Sequence, residues 1–137
     1  MKLLITMIYL LLLSTCVSRN EKYTGDDSRV VLYRDSSITV KLTDTLIIYE
    51  SVCRGCQYEN STTFEIEDST STIKLVDIIT RDNNPGNKDG GSISKKLLLV
   101  PQKTGAANFK LYKFNTGNPG DHRDSSFYVR YKVVVKN

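Results

Sequence analysis

The sequence is poor in helix-forming residues and in the side chains on which most catalytic sites depend. Its 137 residues contain no tryptophan, one histidine (His122) and two alanines, Ala106 and Ala107. Alanine is the strongest helix former, and no apolar stripe of helical period follows residue 20, so a helical fold is disfavoured. His122 stands apart from any nucleophile motif, and with one cysteine pair it falls short of a zinc site. We therefore expect no enzyme, no metal and no cofactor.

Long apolar runs are also missing, except at the N-terminus, where Lys2 is followed by an apolar stretch ending at Leu13. This pattern is typical of a secretory signal peptide, and the stretch is too short to cross a bilayer as a helix. Small residues at Cys16 and Ser18 predict cleavage before Arg19, which lowers the formal net charge from +4 to +3. The protein is then secreted, extracellular or lumenal. An alternative is a bacterial lipoprotein anchored through Cys16.

The rest of the chain alternates between apolar and polar residues. From Phe127 to Lys136 every second residue is aromatic or valine, which predicts a half-buried strand. Similar segments, separated by polar turns, are Val30–Tyr33, Ile38–Leu42, Leu46–Tyr49, Phe64–Glu67, Ile73–Thr80, Lys96–Val100 and Asn108–Phe114. After a signal peptide at 1–18 and a flexible arm at 19–28, residues 29–137 are therefore predicted to form an all-β domain. Its expected architecture is an immunoglobulin-like, two-sheet antiparallel sandwich of about seven or eight strands.

Three connections are longer than a hairpin requires: Glu50 to Ser61, Arg81 to Ser94 and Asn115 to Ser126. Long loops at the end of a rigid sandwich commonly carry function. The first also contains Asn60-Ser61-Thr62, which matches the N-glycosylation pattern if the source is eukaryotic.

Cys53-Arg54-Gly55-Cys56 lies in the first connection and holds the two cysteines that follow the signal region. A thioredoxin-like redox pair would require a helix after the first cysteine, and none is predicted here. The favoured interpretation is a disulfide that closes a tight turn, in which Gly55 supplies the backbone freedom and Arg54 projects from the tip.

The second connection contains Asp82-Asn83-Asn84-Pro85-Gly86-Asn87-Lys88-Asp89-Gly90-Gly91. Its oxygen-bearing side chains are of the kind that bind calcium, but the spacing differs from that of an EF-hand. The favoured interpretation is a flexible loop, since these residues are common in loops of this length, and calcium binding is the alternative.

Charge is distributed unevenly along the chain. Residues 19–94 hold 9 basic and 13 acidic residues (−4), whereas residues 95–137 hold 9 basic and 2 acidic residues (+7). A basic C-terminal part suits an anionic partner such as a sulfated glycan or an acidic protein surface. Alternatively, neighbouring strands carry complementary charges on a solvated face. Nucleic acid is not expected, because no binding motif is present in an exported chain.

The order of strands and loops resembles that of the chagasin-type inhibitors of papain-family cysteine proteases. Lys88-Asp89-Gly90-Gly91 keeps the glycine pair that closes the second loop of that family, and Lys113-Phe114-Asn115 stands where its third loop begins. In the first loop, Cys53-Arg54-Gly55-Cys56 replaces the Asn-Pro-Thr-Thr-Gly of the family.

The resemblance implies an immunoglobulin-like sandwich whose three loops block a protease cleft. The partner-binding residues that it implies here are Arg54, Gly55, Gly90, Gly91, Lys113 and Phe114. The alternative is an adhesion or ligand-binding module without inhibitory activity, whose partner is an anionic glycan or a protein.

Overall fold

Eight β-strands in two four-stranded sheets make up the part of the chain that the computed structural model describes, residues 29–56, 59–82, 85–86, 90–115 and 128–137. Sheet A has the order β1-β3-β6-β5 and sheet B the order β2-β8-β7-β4. Within those ranges, no helix is long and apolar enough to cross a membrane. The strands are β1 Val30–Val31, β2 Ser37–Lys41, β3 Leu46–Cys53, β4 Thr63–Glu67, β5 Ile73–Asp82, β6 Ser92–Pro101, β7 Gly105–Phe114 and β8 Tyr128–Lys136.

The predicted all-β, immunoglobulin-like sandwich is confirmed, with one addition in its pairing. The two sheets contain six pairs of neighbouring strands: four pairs run antiparallel, whereas β1 pairs with β3 and β2 pairs with β8 in parallel. The parallel pairs arise because the chain crosses from sheet A to sheet B between β1 and β2, and returns for β3. The predicted signal peptide, the arm at 19–28 and the alternative lipid site Cys16 lie outside the described residues.

The core lies between the two sheets and is built from the alternating side chains of the strands. In β8, Tyr131, Val133 and Val135 are buried, as the sequence pattern predicted. The ring of Tyr131 stacks on that of Phe109 in β7, with centroids 5.4 Å apart. Burying an aromatic or branched side chain contributes roughly 1.5–3 kcal/mol, so this inward face dominates the stability of the fold. The other core residues include Leu32, Val40, Leu46, Ile48, Val52, Phe64, Ile73, Leu97, Leu99, Ala107 and Leu111.

The strands are longer at one end of the sandwich than the sequence indicated. The predicted third strand stopped at Tyr49, but β3 continues to Cys53, with Val52 buried and paired with Ile93. The alternation was obscured by Glu50, a charged residue on the inward side of the strand. At the opposite end of the sandwich, Leu42 was predicted to belong to the strand Ile38–Leu42. It lies instead in the turn after β2 and is 38% exposed.

The strand registers bring the three long connections to the same end of the sandwich, which we call the loop end. Cys53 pairs with Ser92, so the loop after β3 and the loop before β6 leave the sheet side by side. Thr63 pairs with Phe114, so the loop before β4 lies beside the loop after β7. We refer to residues 54–62, 83–91 and 115–127 as the first, second and third loops.

The opposite end is held by Asp68, in the turn between β4 and β5. One carboxylate oxygen accepts hydrogen bonds from the backbone N–H groups of Thr72 and Ile73 at 2.7 and 2.8 Å. The other accepts bonds from the N–H and the hydroxyl of Thr70 at 2.9 and 2.6 Å. Partial burial opposes ionisation of this carboxyl, but the hydrogen bonds from Thr70, Ile73 and Thr72 outweigh it and lower the pKa of Asp68 below its usual value.

We expect Asp68→Asn to lower the free energy of unfolding at pH 7 by about 1–2 kcal/mol, because an amide offers one acceptor oxygen where the carboxylate offers two. Since the pKa of Asp68 is lowered by folding, its stabilisation is present above the pKa of the unfolded chain and is lost as the pH falls through the folded value. Urea unfolding of both proteins at pH 7 and at progressively lower pH measures this. A difference that does not shrink on acidification would contradict the assignment.

Candidate functional site

The first loop is closed by a disulfide between Cys53 and Cys56, which confirms the favoured interpretation of this motif. Gly55 adopts a positive φ of 69°, a conformation that glycine reaches without steric cost. The Gly55 N–H donates to the carboxylate of Glu59, whose own N–H donates to the Cys56 carbonyl at 3.0 Å. The pair stands at the end of a strand and the start of a turn, instead of at the helix N-terminus that a thioredoxin-like thiol requires. The disulfide therefore serves to hold the turn.

Arg54 does not project from the tip, so the sequence-based expectation for its side chain was wrong. It is only 8% exposed, and its guanidinium forms an ion pair with Asp82 at the end of β5. The Arg54 N–H also donates to the carbonyl of Gly91 at 3.1 Å. A guanidinium taken out of water needs such a carboxylate partner, which explains why it turns inward. Arg54 thus joins the first loop to both ends of the second.

Gly90 and Gly91 present bare backbone at the loop end. Their φ angles are +81° and +87°, which L-residues with a side chain rarely adopt. Nothing lies within 4 Å of the place where a Cβ atom would stand on either residue. The glycines are thus required by the backbone conformation and not by crowding. Both are exposed, so another protein could approach their peptide groups closely.

Lys113 and Phe114, at the end of β7, point in opposite directions. The Lys113 ammonium donates to the Ser51 carbonyl and lies 3.4 Å from the carboxylate of Glu50 in sheet A, so it bridges the two sheets. Phe114 is 2% exposed and stacks on Tyr112, with centroids 5.6 Å apart, on the outer side of sheet B. The expectation that its ring is available as an anchor for a partner was therefore wrong, because neighbouring groups already cover it.

Two acidic residues determine how the loops are held, and the sequence analysis predicted this role for neither of them. Glu50 pairs with Lys113, and Asp82 pairs with Arg54. Glu50 gave a usable signal: it follows the apolar run of β3 and precedes Val52 with strand spacing, so continued alternation places it inward. Asp82 gave none, since it opens a segment of Asp, Asn and Gly that is common in any long loop.

The three loops are also joined at their bases. The hydroxyl of Ser61, in the first loop, donates to the carbonyl of Asn115, where the third loop begins. Beneath these contacts a cleft of about 630 Å³ opens between the sheets. Its lining residues include Glu50, Val52, Leu111, Lys113, Tyr128 and Val129. In the described part of the loop end, two ion pairs, a disulfide and hydrogen bonds thus join the bases of the loops above a cleft with apolar and charged walls.

Several predictions concern residues that the structure does not describe. His122 and positions 83–84 and 87–89 of the suggested calcium loop lie outside the described residues. Among the residues that are described, no group of three or more His, Cys, Asp or Glu side chains could hold a metal ion. Asn60 lies in the first loop and is exposed, and its glycosylation stays a prediction. Partner contacts by Gly55, Gly90, Gly91 and Lys113 likewise stay predictions.

Comparison with known proteins identifies the fold through structure alone. No protein-family model and no curated protein matches the sequence. The cysteine protease inhibitor EhICP2 from Entamoeba histolytica superposes with a TM-score of 0.58 at 17% identity, over 78% of this chain and 95% of that one. Amebosin superposes with a TM-score of 0.56 at 12% identity, over 79% of this chain and 98% of its own. EhICP2 is described as a cysteine protease inhibitor, and the likeness confirms the chagasin-like fold expected from the sequence.

Proposed function

We propose that the protein is an exported inhibitor of papain-family cysteine proteases that inserts its loop end into the active-site cleft of the enzyme. The observation that carries this proposal is the convergence of the disulfide turn and the exposed glycine pair at one end of a sandwich. That sandwich has the fold of EhICP2, which is described as a cysteine protease inhibitor. The likeness supports the fold, and the geometry of the loop end supports the activity.

A rigid loop end lowers the entropic cost of binding. Ordering a flexible loop on a partner costs roughly 0.5–1.5 kcal/mol for each immobilised side chain, so loops that are already fixed bind more tightly. Here the first loop is fixed by the Cys53–Cys56 disulfide, and the second is tied to it through Arg54. Arg54 is thus a positioning residue in this proposal, and the direct contacts fall to the backbone of Gly55, Gly90 and Gly91.

The exposed glycine backbone suits a narrow cleft. Peptide groups that carry no side chain can approach the walls of an enzyme cleft and exchange main-chain hydrogen bonds with them. The Gly91 carbonyl accepts a hydrogen bond from the Arg54 N–H, and both glycines are exposed. This chain would then block the cleft without catalysing a reaction itself.

The N-terminal sequence supports a proposal for where the protein is located. The charged start, apolar run and small residues of 1–18 favour export, where a disulfide between Cys53 and Cys56 persists. We include secretion, or delivery to an oxidising lumen, in the proposal. Proteases of the papain family that act in the same compartments would be its partners.

The mature protein, beginning at Arg19, should inhibit a papain-type protease at submicromolar concentration in an assay with a small fluorogenic peptide. Gly91→Val should raise the inhibition constant about tenfold or more, because a branched side chain is strained at a φ of +87° by roughly 1–3 kcal/mol. Gly105→Val is the matched control: its φ is +135° and its surroundings are equally open, but Gly105 is the first residue of β7, at the end of the sandwich opposite the loop end.

We expect the control to be destabilised like Gly91→Val and to inhibit like the unmodified protein. No inhibition of several papain-type proteases would contradict the proposal. Equal loss of inhibition in the two variants would show that general instability, and not the loop end, is responsible.

The Arg54–Asp82 ion pair should couple the stability of the first loop to that of the second. Because Arg54 is buried and the Asp82 side chain is 38% exposed, Arg54→Met should lower the free energy of unfolding by about 1–3 kcal/mol. A double-mutant cycle with Asp82→Asn, followed by urea unfolding and by inhibition, measures the coupling. Additive effects of the two substitutions on both readouts would show that the pair does not order the loops.

A further inference from the structure

The outer face of sheet B carries a row of positive charge that takes no part in the loop end. In a strand, alternate side chains point to opposite faces, so the residues between the buried positions of β2, β7 and β8 point outward. The outward-facing cations are Lys41, Lys110, Arg130, Lys132 and Lys136. The outward-facing acids of the four strands are Glu65 and Glu67, both on the edge strand β4. We call the exposed part formed by Lys41, Arg130, Lys132 and Lys136 the basic face.

One of the five cations, Lys110, forms an ion pair with a carboxylate. The Lys110 ammonium lies 3.0 Å from Glu67, whose other oxygen accepts a hydrogen bond from Tyr112 at 3.0 Å. The hydrogen bond to Glu67, followed by that to Tyr112, raises the pKa of Lys110. The positive charge of Lys110 is thus largely balanced by a neighbour on β4.

The remaining cations lack such neighbours within the sheet. No ion pair joins Lys41, Lys132 or Lys136 to a carboxylate of the described residues. The nearest acid in sequence, Asp44, accepts a hydrogen bond from the backbone N–H of Lys41 at 2.7 Å, which fixes the turn. Among the strands of sheet B, the outward-facing carboxylates that could have made this an ordinary solvated face therefore lie on β4, two strands away from β8.

The register places like charges side by side. Lys41 and Lys136 are partners in the parallel β2–β8 ladder, an arrangement that is destabilising unless an anion lies between the ammonium groups. Along β8, Arg130 and Lys136 are six residues apart, so the row is roughly 20 Å long at about 3.3 Å per residue. The long cationic side chains stand above a floor of small residues, which consists of Ser37, Thr39, Ala106, Asn108 and Val134.

From this charge complementarity we propose that the basic face binds a linear sulfated polysaccharide lying along β8. Arg130, Lys132 and Lys136 form a line of cations along β8, and sulfate groups along an extended chain present a complementary line of negative charge. The hydroxyls of Ser37 and Thr39 and the amide of Asn108 add hydrogen-bond donors for sulfate oxygens. An exported protein meets sulfated glycans outside the cell, whereas anionic lipids and nucleic acids are concentrated on the cytoplasmic side.

This binding is independent of the proposed inhibition. The basic face lies on the outer side of sheet B, and its cations Lys41 and Lys136 sit at the end of the strands opposite the loop end. A polysaccharide chain on this face therefore leaves the loop end open. The protein could hold a glycan and a protease at the same time, so the two activities can be tested separately.

The test uses the mature protein and heparin as the probe, with affinity measured at several salt concentrations. We expect Lys132→Gln combined with Lys136→Gln to weaken heparin binding about tenfold or more near 0.15 M salt. The salt dependence should also fall by about one counterion for each lysine removed. The control is Lys74→Gln combined with Arg81→Gln, which removes the same charge from exposed positions of β5 in sheet A.

The control pair should weaken binding by less than about threefold, since overall charge changes equally in the two double variants. Equal weakening by both pairs, or no retention of the unmodified protein on heparin, would overturn the proposal. Desulfated heparin, phosphatidylserine vesicles and duplex DNA are further probes, and binding to any of them as tight as to heparin would overturn the assignment to sulfated glycan. Protease inhibition by the Lys132/Lys136 variant should be unchanged, and it reports on the loop end alone.

Discussion

The burial of alternate side chains between the two sheets is the constraint on which the rest of the structure depends. Tyr131, Val133 and Val135 of β8 pack inward, and Tyr131 stacks on Phe109 of the neighbouring strand. Because side chains alternate with a period of two, a slip of one residue would expose this whole row and bury the cations between. The register is therefore fixed by hydrophobic burial, and the positions of the loops and of the basic face follow from it.

Charged side chains stabilise the loop end where the apolar core stops. Lys113 reaches from sheet B to Glu50 in sheet A, and Arg54 reaches from the first loop to Asp82 at the end of β5. Each contact joins segments that are distant in sequence, and each places a charge next to its opposite in a partly buried setting. Hydrogen bonds to charged groups are stronger than those between neutral groups, so these contacts are suited to fixing long loops.

The sequence predicted the fold class and the approximate positions of the strands along the chain because both depend on local patterns. The alternation in β8 is almost uninterrupted, and it was identified without knowledge of any partner strand. β3 was predicted too short because Glu50 is an inward-facing charge, and its pairing with Lys113 depends on a residue of the other sheet. Local sequence carries no information about such a partner.

The candidate site was predicted less well than the fold, for a related reason. The disulfide and the glycine pair are encoded by neighbouring residues, and both were identified. The orientation of Arg54 depends on Asp82, which local patterns do not connect to it. Phe114 lies two residues after Tyr112 on the same face of β7, so the alternation gives the direction of its ring but not how deeply the ring is buried. In the structure, Arg54 therefore has a positioning role instead of the predicted contact role, and the ring of Phe114 is buried where a partner cannot reach it.

The central claim is that the loop end is the surface that meets the protease, and hydrogen exchange of the protein with and without a papain-type enzyme tests it most directly. The account predicts slower exchange at the amides of residues 54–56 and 90–91 in the complex, and unchanged exchange in the turn at Asp68. Protection of the turn at Asp68 or of the sheet faces, with the loop end exchanging as in the free protein, would contradict it.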